Sequence, residues 1–142
     1  MLAVLPLVVS IVGLVLLAVF GRHWERIAVA CFTAYLVAVP LVEDITIEHW
    51  RLGVAVVETL LFLVLWLLAE RASRWWLTAA AGFQIITLST FVIPWIAPHN
   101  LLWSGVIFRM ATWSLITLTF FAGAWEAWAD RRFKQEMAAA AS

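Results

Sequence analysis

Residues 52–93 read LGVAVVETLLFLVLWLLAERASRWWLTAAAGFQIITLSTFVI, two apolar runs parted by Glu70-Arg71-Ala72-Ser73-Arg74. Each run approaches the roughly twenty residues that a helix needs to cross the hydrocarbon of a bilayer. Working outward from this pair gives five apolar stretches, at about 2–20, 27–42, 52–69, 75–93 and 101–125. Cations follow the first (Arg22, Arg26), the third (Arg71, Arg74) and the fifth (Arg131, Arg132, Lys134). The connections after the second and fourth carry only Arg51, against the acids Glu43, Asp44 and Glu48. Cytoplasmic loops collect Lys and Arg, so the pattern predicts five spans with the N-terminus outside and the C-terminus cytoplasmic.

Composition points the same way. Hydrophobic residues make up 65% of the chain and charged residues 13%, which is too apolar for a soluble domain of this size. The expected class is an all-α polytopic membrane protein, a five-helix bundle in an inner or plasma-type membrane. With their flanks the helices are predicted at about 2–20, 24–47, 50–69, 74–95 and 100–128, one domain over 1–133 followed by a cytoplasmic tail, 134–142. Pro40 is expected to kink the short second span near its outer end. Pro94 and Pro98 should break the chain before the fifth, and the last residues should fray. The first stretch lacks a basic leader and exceeds a usual signal core, so it reads as a retained anchor. Formal net charge is zero and no basic array is present, which argues against a nucleic-acid partner. Cys31 is the single cysteine and reads as a structural thiol without an internal disulfide.

Tryptophan placement provides a second test, because the indole ring favours the headgroup level. Trp24, Trp66, Trp75, Trp76, Trp125 and Trp128 fall near the predicted inner boundary, and Trp50, Trp95 and Trp103 near the outer one. Trp50, Trp75, Trp76, Trp95, Trp103, Trp125 and Trp128 are the expected lipid-facing set. Trp113 falls near mid-membrane and is expected to pack on a neighbouring helix or a bound ring system.

Ionisable side chains inside a span are costly and usually mark a pairing or a pathway. Glu58 and Arg109 each lie about eight positions beyond the outer end of their spans, and Gln84 lies about nine from the outer end of its own. At about 1.5 Å of rise per residue the three share one depth, roughly 12 Å below the outer boundary. Small residues one turn away, Ala80 and Ala81 beside Gln84 and Gly105 beside Arg109, favour close helix approach. An intramembrane Glu58–Arg109 pair with Gln84 satisfying leftover groups is therefore predicted. It can serve packing register alone or a proton or substrate path; alternatively, Arg109 snorkels outward without a partner.

His49 and His99 are both predicted at the outer surface, near Glu43, Asp44 and Glu48. A divalent metal on His49, His99, Glu48 and Asp44 is one reading, and a solvated acidic loop with interfacial histidines is the plainer one. No zinc-protease helix, nucleophile elbow, Gly-rich phosphate loop or cysteine pair is present, and no cofactor is specified. The leading functional expectation is a non-catalytic accessory or structural subunit, partnered by lipids and other membrane subunits. The alternatives are a small transporter or channel built on Glu58 and Arg109, and an outer-face metal-binding protein.

Overall fold

The computed structural model describes residues 4–47, 51–96 and 102–142, with the side chains of 94, 95 and 102–106 outside the description. Regular structure among the described residues is helical: α1 (Val4–Phe20), α2 (His23–Val42), α3 (Leu52–Ala72), α4 (Trp75–Ser89), α5 (Ile93–Ile96) and α6 (Leu102–Ala141). Helices α2, α3 and α6 are long and apolar enough to cross a membrane. Helix α1, with 17 residues, is about 26 Å long and α4, with 15, about 22 Å.

Three predicted helix ends differ clearly from the structure. The second span is predicted to run to residue 47, whereas α2 stops at Val42 and a turn follows. The fourth span is predicted to run to residue 95, whereas α4 stops at Ser89 and a turn leads into α5. Local chemistry accounts for the stop. Thr87, Ser89 and Thr90 each donate a hydroxyl to a backbone carbonyl three or four residues back, a competition that weakens a helix end. Pro94 then has no N–H with which to continue it. The third difference lies in the tail, where the helix runs through Ala141 although residues 138–142 are expected to fray. Alanine has the highest helix propensity, and Lys134–Asp130 and Arg132–Glu136 pairs four residues apart support this segment.

Two-residue connections, Gly21-Arg22 and Ser73-Arg74, make α1 and α2, and α3 and α4, antiparallel neighbours. Each long helix packs on the next in the order α1, α2, α3, α4, α6, and α6 returns against α1. The result is a ring of five helices around a common interior. One half of that interior is filled by side chains including Leu17, Phe32, Leu65, Trp76, Leu77, Ile116 and Phe120, all essentially without exposure. Phe32 and Phe120 meet edge to face at 4.5 Å, a favoured aromatic geometry.

Trp76 corrects a sequence expectation. Its place in the sequence puts it among the expected lipid-facing tryptophans, yet its exposure is 0%. The reason is Gly123 on α6, where a Cβ would stand 2.7 Å from the indole Cδ2; glycine opens the space that admits the ring. Trp75, Trp125 and Trp128 are exposed. The side chains of Trp95 and Trp103, and Trp50 altogether, lie outside the described residues.

The end of the ring bearing both two-residue turns is tied together by one arginine. Arg74 places Nε 3.2 Å from Glu25 Oε1, Nη1 3.2 Å from Glu126 Oε1 and Nη2 3.6 Å from Asp130 Oδ2. A guanidinium presents five donors in a planar fork, which suits three acids at once. Glu25 also accepts the Arg22 amide at 2.9 Å, closing the first turn of α2 as in a capping box. Arg131 reaches back to the Gly21 carbonyl at 3.3 Å. The Lys134 ammonium, hydrogen-bonded to Asp130, holds that carboxyl below the usual carboxylate range, with Arg74 and Arg22 adding to the effect.

Candidate functional site

Above the packed half of the ring, the interior changes character. Tyr35 on α2, Glu58 on α3, Gln84 on α4 and Arg109 on α6 turn toward one another. Glu58 is 2% exposed. Its carboxylate accepts Tyr35 Oη at 2.7 Å and Gln84 Nε2, and Arg109 Nη2 lies 3.7 Å from Oε1. The structure thus brings together all three residues that the depth count singled out.

Arg109 is held differently from Glu58. Its side chain remains about one-third exposed, and its guanidinium carbon sits 5.2 Å above the Phe91 ring, within cation–π range. The Glu58 contact exceeds hydrogen-bond length. Among the described residues, the acid is surrounded by donors while the cation keeps donors to spare.

Tyr35 is a member of the layer that sequence reasoning missed. A signal was available: Tyr35 lies seven residues before Val42, where α2 ends, so it occupies nearly the same depth as Glu58. A second polar group was also missed. Ser10 Oγ on α1 donates to or accepts from Thr117 Oγ1 at 2.8 Å and accepts Trp113 Nε1 at 3.1 Å. Trp113 in turn stacks on Tyr35, with centroids 5.8 Å apart and planes inclined by 27°. The indole therefore bridges the α1–α6 contact and the Glu58 layer.

These groups border a cavity of about 460 Å³, within the range of small-molecule sites. Glu58, Gln84, Thr87 and Arg109 line it with Tyr35 and Trp113, and Leu36, Val39, Pro40 and Ile116 contribute apolar wall. Leu7, Met110 and Ser114, which also line it, are exposed, so the cavity reaches the surface of the ring. Below it, the Phe32, Leu65, Trp76 and Phe120 packing closes the interior. Chemically, the site offers hydrogen-bond donation, an aromatic wall and an apolar enclosure.

The other proposed site is not reached by the same description. Glu48, His49 and His99 lie outside the described residues, while Asp44 is exposed in the turn after α2. Among the described residues, no group of three or more His, Cys, Asp or Glu is arranged to hold a metal ion.

Fold and site together define an all-helical protein with three helices long and apolar enough for a membrane and a polar layer inside the helix ring. Comparison with protein-family models, curated proteins and solved structures gives no match.

Proposed function

We propose that the chain is a five-span integral protein of an inner or plasma membrane that serves as a non-catalytic accessory subunit of a larger membrane assembly. The N-terminus is outside and the Arg74 cluster lies at the cytoplasmic end. Outward-facing apolar side chains support the membrane setting; on α1 alone Leu5, Val8, Val12, Val15 and Val19 are exposed, while Ser10 is turned inward. With α1 and α4 shorter than the roughly 30 Å hydrocarbon, their flanking residues complete the crossing.

The observation that carries the subunit reading is the reach of α6. Its 40 residues extend about 60 Å, twice the hydrocarbon thickness. Past Arg131 the helix leaves the ring, and Phe133 and Met137, four residues apart on one face, are 63% and 58% exposed. A projecting helix with an uncovered apolar pair suits a partner subunit better than open water. Purification from the native membrane in mild detergent, followed by mass spectrometry, tests the proposal. Stoichiometric co-purifying subunits are expected, and their loss is expected in the double variant Phe133→Glu, Met137→Glu. A partner-free protein at native abundance overturns the reading.

A second reading, a small transporter or channel, draws on the cavity and on the Glu58–Arg109 pair as its intramembrane charge relay. The packed core below the cavity means that passage requires the helices to part. Ion flux across proteoliposomes that is abolished by Glu58→Gln, with the bundle still folded, would favour it.

A further inference from the structure

Hydrogen-bond bookkeeping in the Glu58 layer restricts what the cavity can hold. Glu58 already receives the Tyr35 hydroxyl and the Gln84 amide and faces a guanidinium at 3.7 Å. It is therefore a poor site for a cationic guest. Arg109 has donors left over among the described residues and lines the cavity directly. The guest must supply an acceptor.

Charge narrows the choice further. With Glu58 held as a carboxylate by the Tyr35 and Gln84 donors and by the guanidinium opposite, Glu58 and Arg109 together are neutral, and a second anion beside Arg109 would stand within a few ångströms of that carboxylate. In a water-poor interior that repulsion is only weakly screened. A neutral acceptor, such as a carbonyl oxygen, takes the spare N–H groups without this conflict. Shape adds a third restriction: Tyr35 and Trp113 provide an aromatic wall, and Leu36, Val39 and Ile116 an apolar one. Exposed Leu7 and Met110 mark an edge through which an apolar tail can leave toward lipid.

We infer that the cavity binds a neutral planar carbonyl compound of the quinone class, one ring carbonyl accepting from Arg109 and the ring lying against Tyr35 and Trp113. This goes beyond the subunit assignment and holds whether the chain acts alone or in a complex.

Duroquinone is the probe. It is titrated into the intact protein in dodecyl maltoside micelles while tryptophan fluorescence is followed. The expected result is saturable quenching, much reduced in amplitude in Trp113→Phe and shifted at least tenfold to higher concentration in Arg109→Gln. Val39→Phe narrows the cavity from its apolar wall and leaves Glu58, Gln84 and Arg109 unchanged; it is expected to abolish saturation with helix content unchanged. This variant decides the matter if Arg109→Gln does not fold. Quenching that is linear in duroquinone, or that is the same in Val39→Phe as in the unaltered protein, overturns the inference. Laurate, with its carboxylate head, is run as competitor. Failure to displace duroquinone is expected, and displacement at equal concentration would assign the cavity to an anion and overturn the neutral-ligand argument.

Discussion

Replacing Arg74 by glutamine should be among the most damaging single changes at its end of the ring. The arginine is 18% exposed and Glu25, 3.2 Å away, only 2%. Removing one partner of a buried pair costs about 3–5 kcal/mol, because the other charge is left without compensation. Glu25 keeps the Arg22 amide, which places the expected loss near the lower limit. Asp130, at 28% exposure, regains water and retains Lys134, while Glu126, at 21%, has one carboxylate oxygen buried and recovers less. Their loss adds less than about 1 kcal/mol each. The total, about 3–4 kcal/mol, corresponds to roughly a hundredfold to a thousandfold change in the unfolding equilibrium. Arg71, exposed at the end of α3, provides the control: Arg71→Gln removes the same charge from the same end and should cost under about 0.5 kcal/mol. Unfolding in mixed dodecyl maltoside–SDS micelles, followed by circular dichroism at pH 7, measures both. Arg74→Lys should fall between them, since a single ammonium cannot span three acids. If Arg74→Gln and Arg71→Gln agree within about 0.5 kcal/mol, the cluster does not hold the turns together and the reasoning is wrong.

Gly123→Val should destabilise the bundle by about 1–3 kcal/mol through overpacking and shift the emission of Trp76, whose Cδ2 a Cβ would approach to 2.7 Å. Gly53→Ala drives a Cβ into the Val42 carbonyl oxygen; backbone cannot yield as a side-chain tip can, so the hydrogen bond from the Gly53 amide to the Ile45 carbonyl should open and that amide exchange faster than in the unaltered protein. Asp130 should contribute to acid sensitivity in a defined direction. Its folded-state pKa is lowered, first by the Lys134 hydrogen bond, so its stabilising contribution is present above the ordinary carboxylate pKa and is lost as pH falls through the lower folded value. Acid titration of helix content should therefore be flatter below about pH 4 in Asp130→Asn than in the unaltered chain, and identical curves would count against the assigned contact.

Helix identity was legible because apolar length is a one-dimensional property. Runs such as 52–69 show themselves by composition, and all-helical structure with three helices fit to cross a membrane follows from it. Depth was legible for the same reason: helix rise converts residue number into height, which is enough to put Glu58, Gln84 and Arg109 on one level. Azimuth was not. Trp76 stands in the first turn of α4, but which way it points depends on Gly123, 47 positions later (123 − 76) in the chain. Arg74 was read only as a cation marking a cytoplasmic loop. Its three acids come from α2 and α6, and no local pattern joins them. Tyr35 was passed over because a phenol in an apolar span reads as an aromatic filler until an acceptor is found for its hydroxyl. The end of α4 was missed because isolated Ser and Thr are usually harmless in apolar helices, and here several act together just before a proline.

The hydroxyl of Ser10 has a consequence for how freely α1 can drift. Apart from this residue, α1 is built of aliphatics, Pro6, Gly13 and Phe20, and a greasy cylinder has no preferred rotational setting among greasy neighbours. One oxygen, bonded to Thr117 and Trp113 on α6, acts as a detent that sharpens the angular position in which Leu14 and Leu17 also face inward. Valine, leucine and isoleucine can therefore exchange over the exposed face of α1 with little effect, while loss of that one atom would leave the setting of the helix to the packing of Gly13, Leu14 and Leu17 alone.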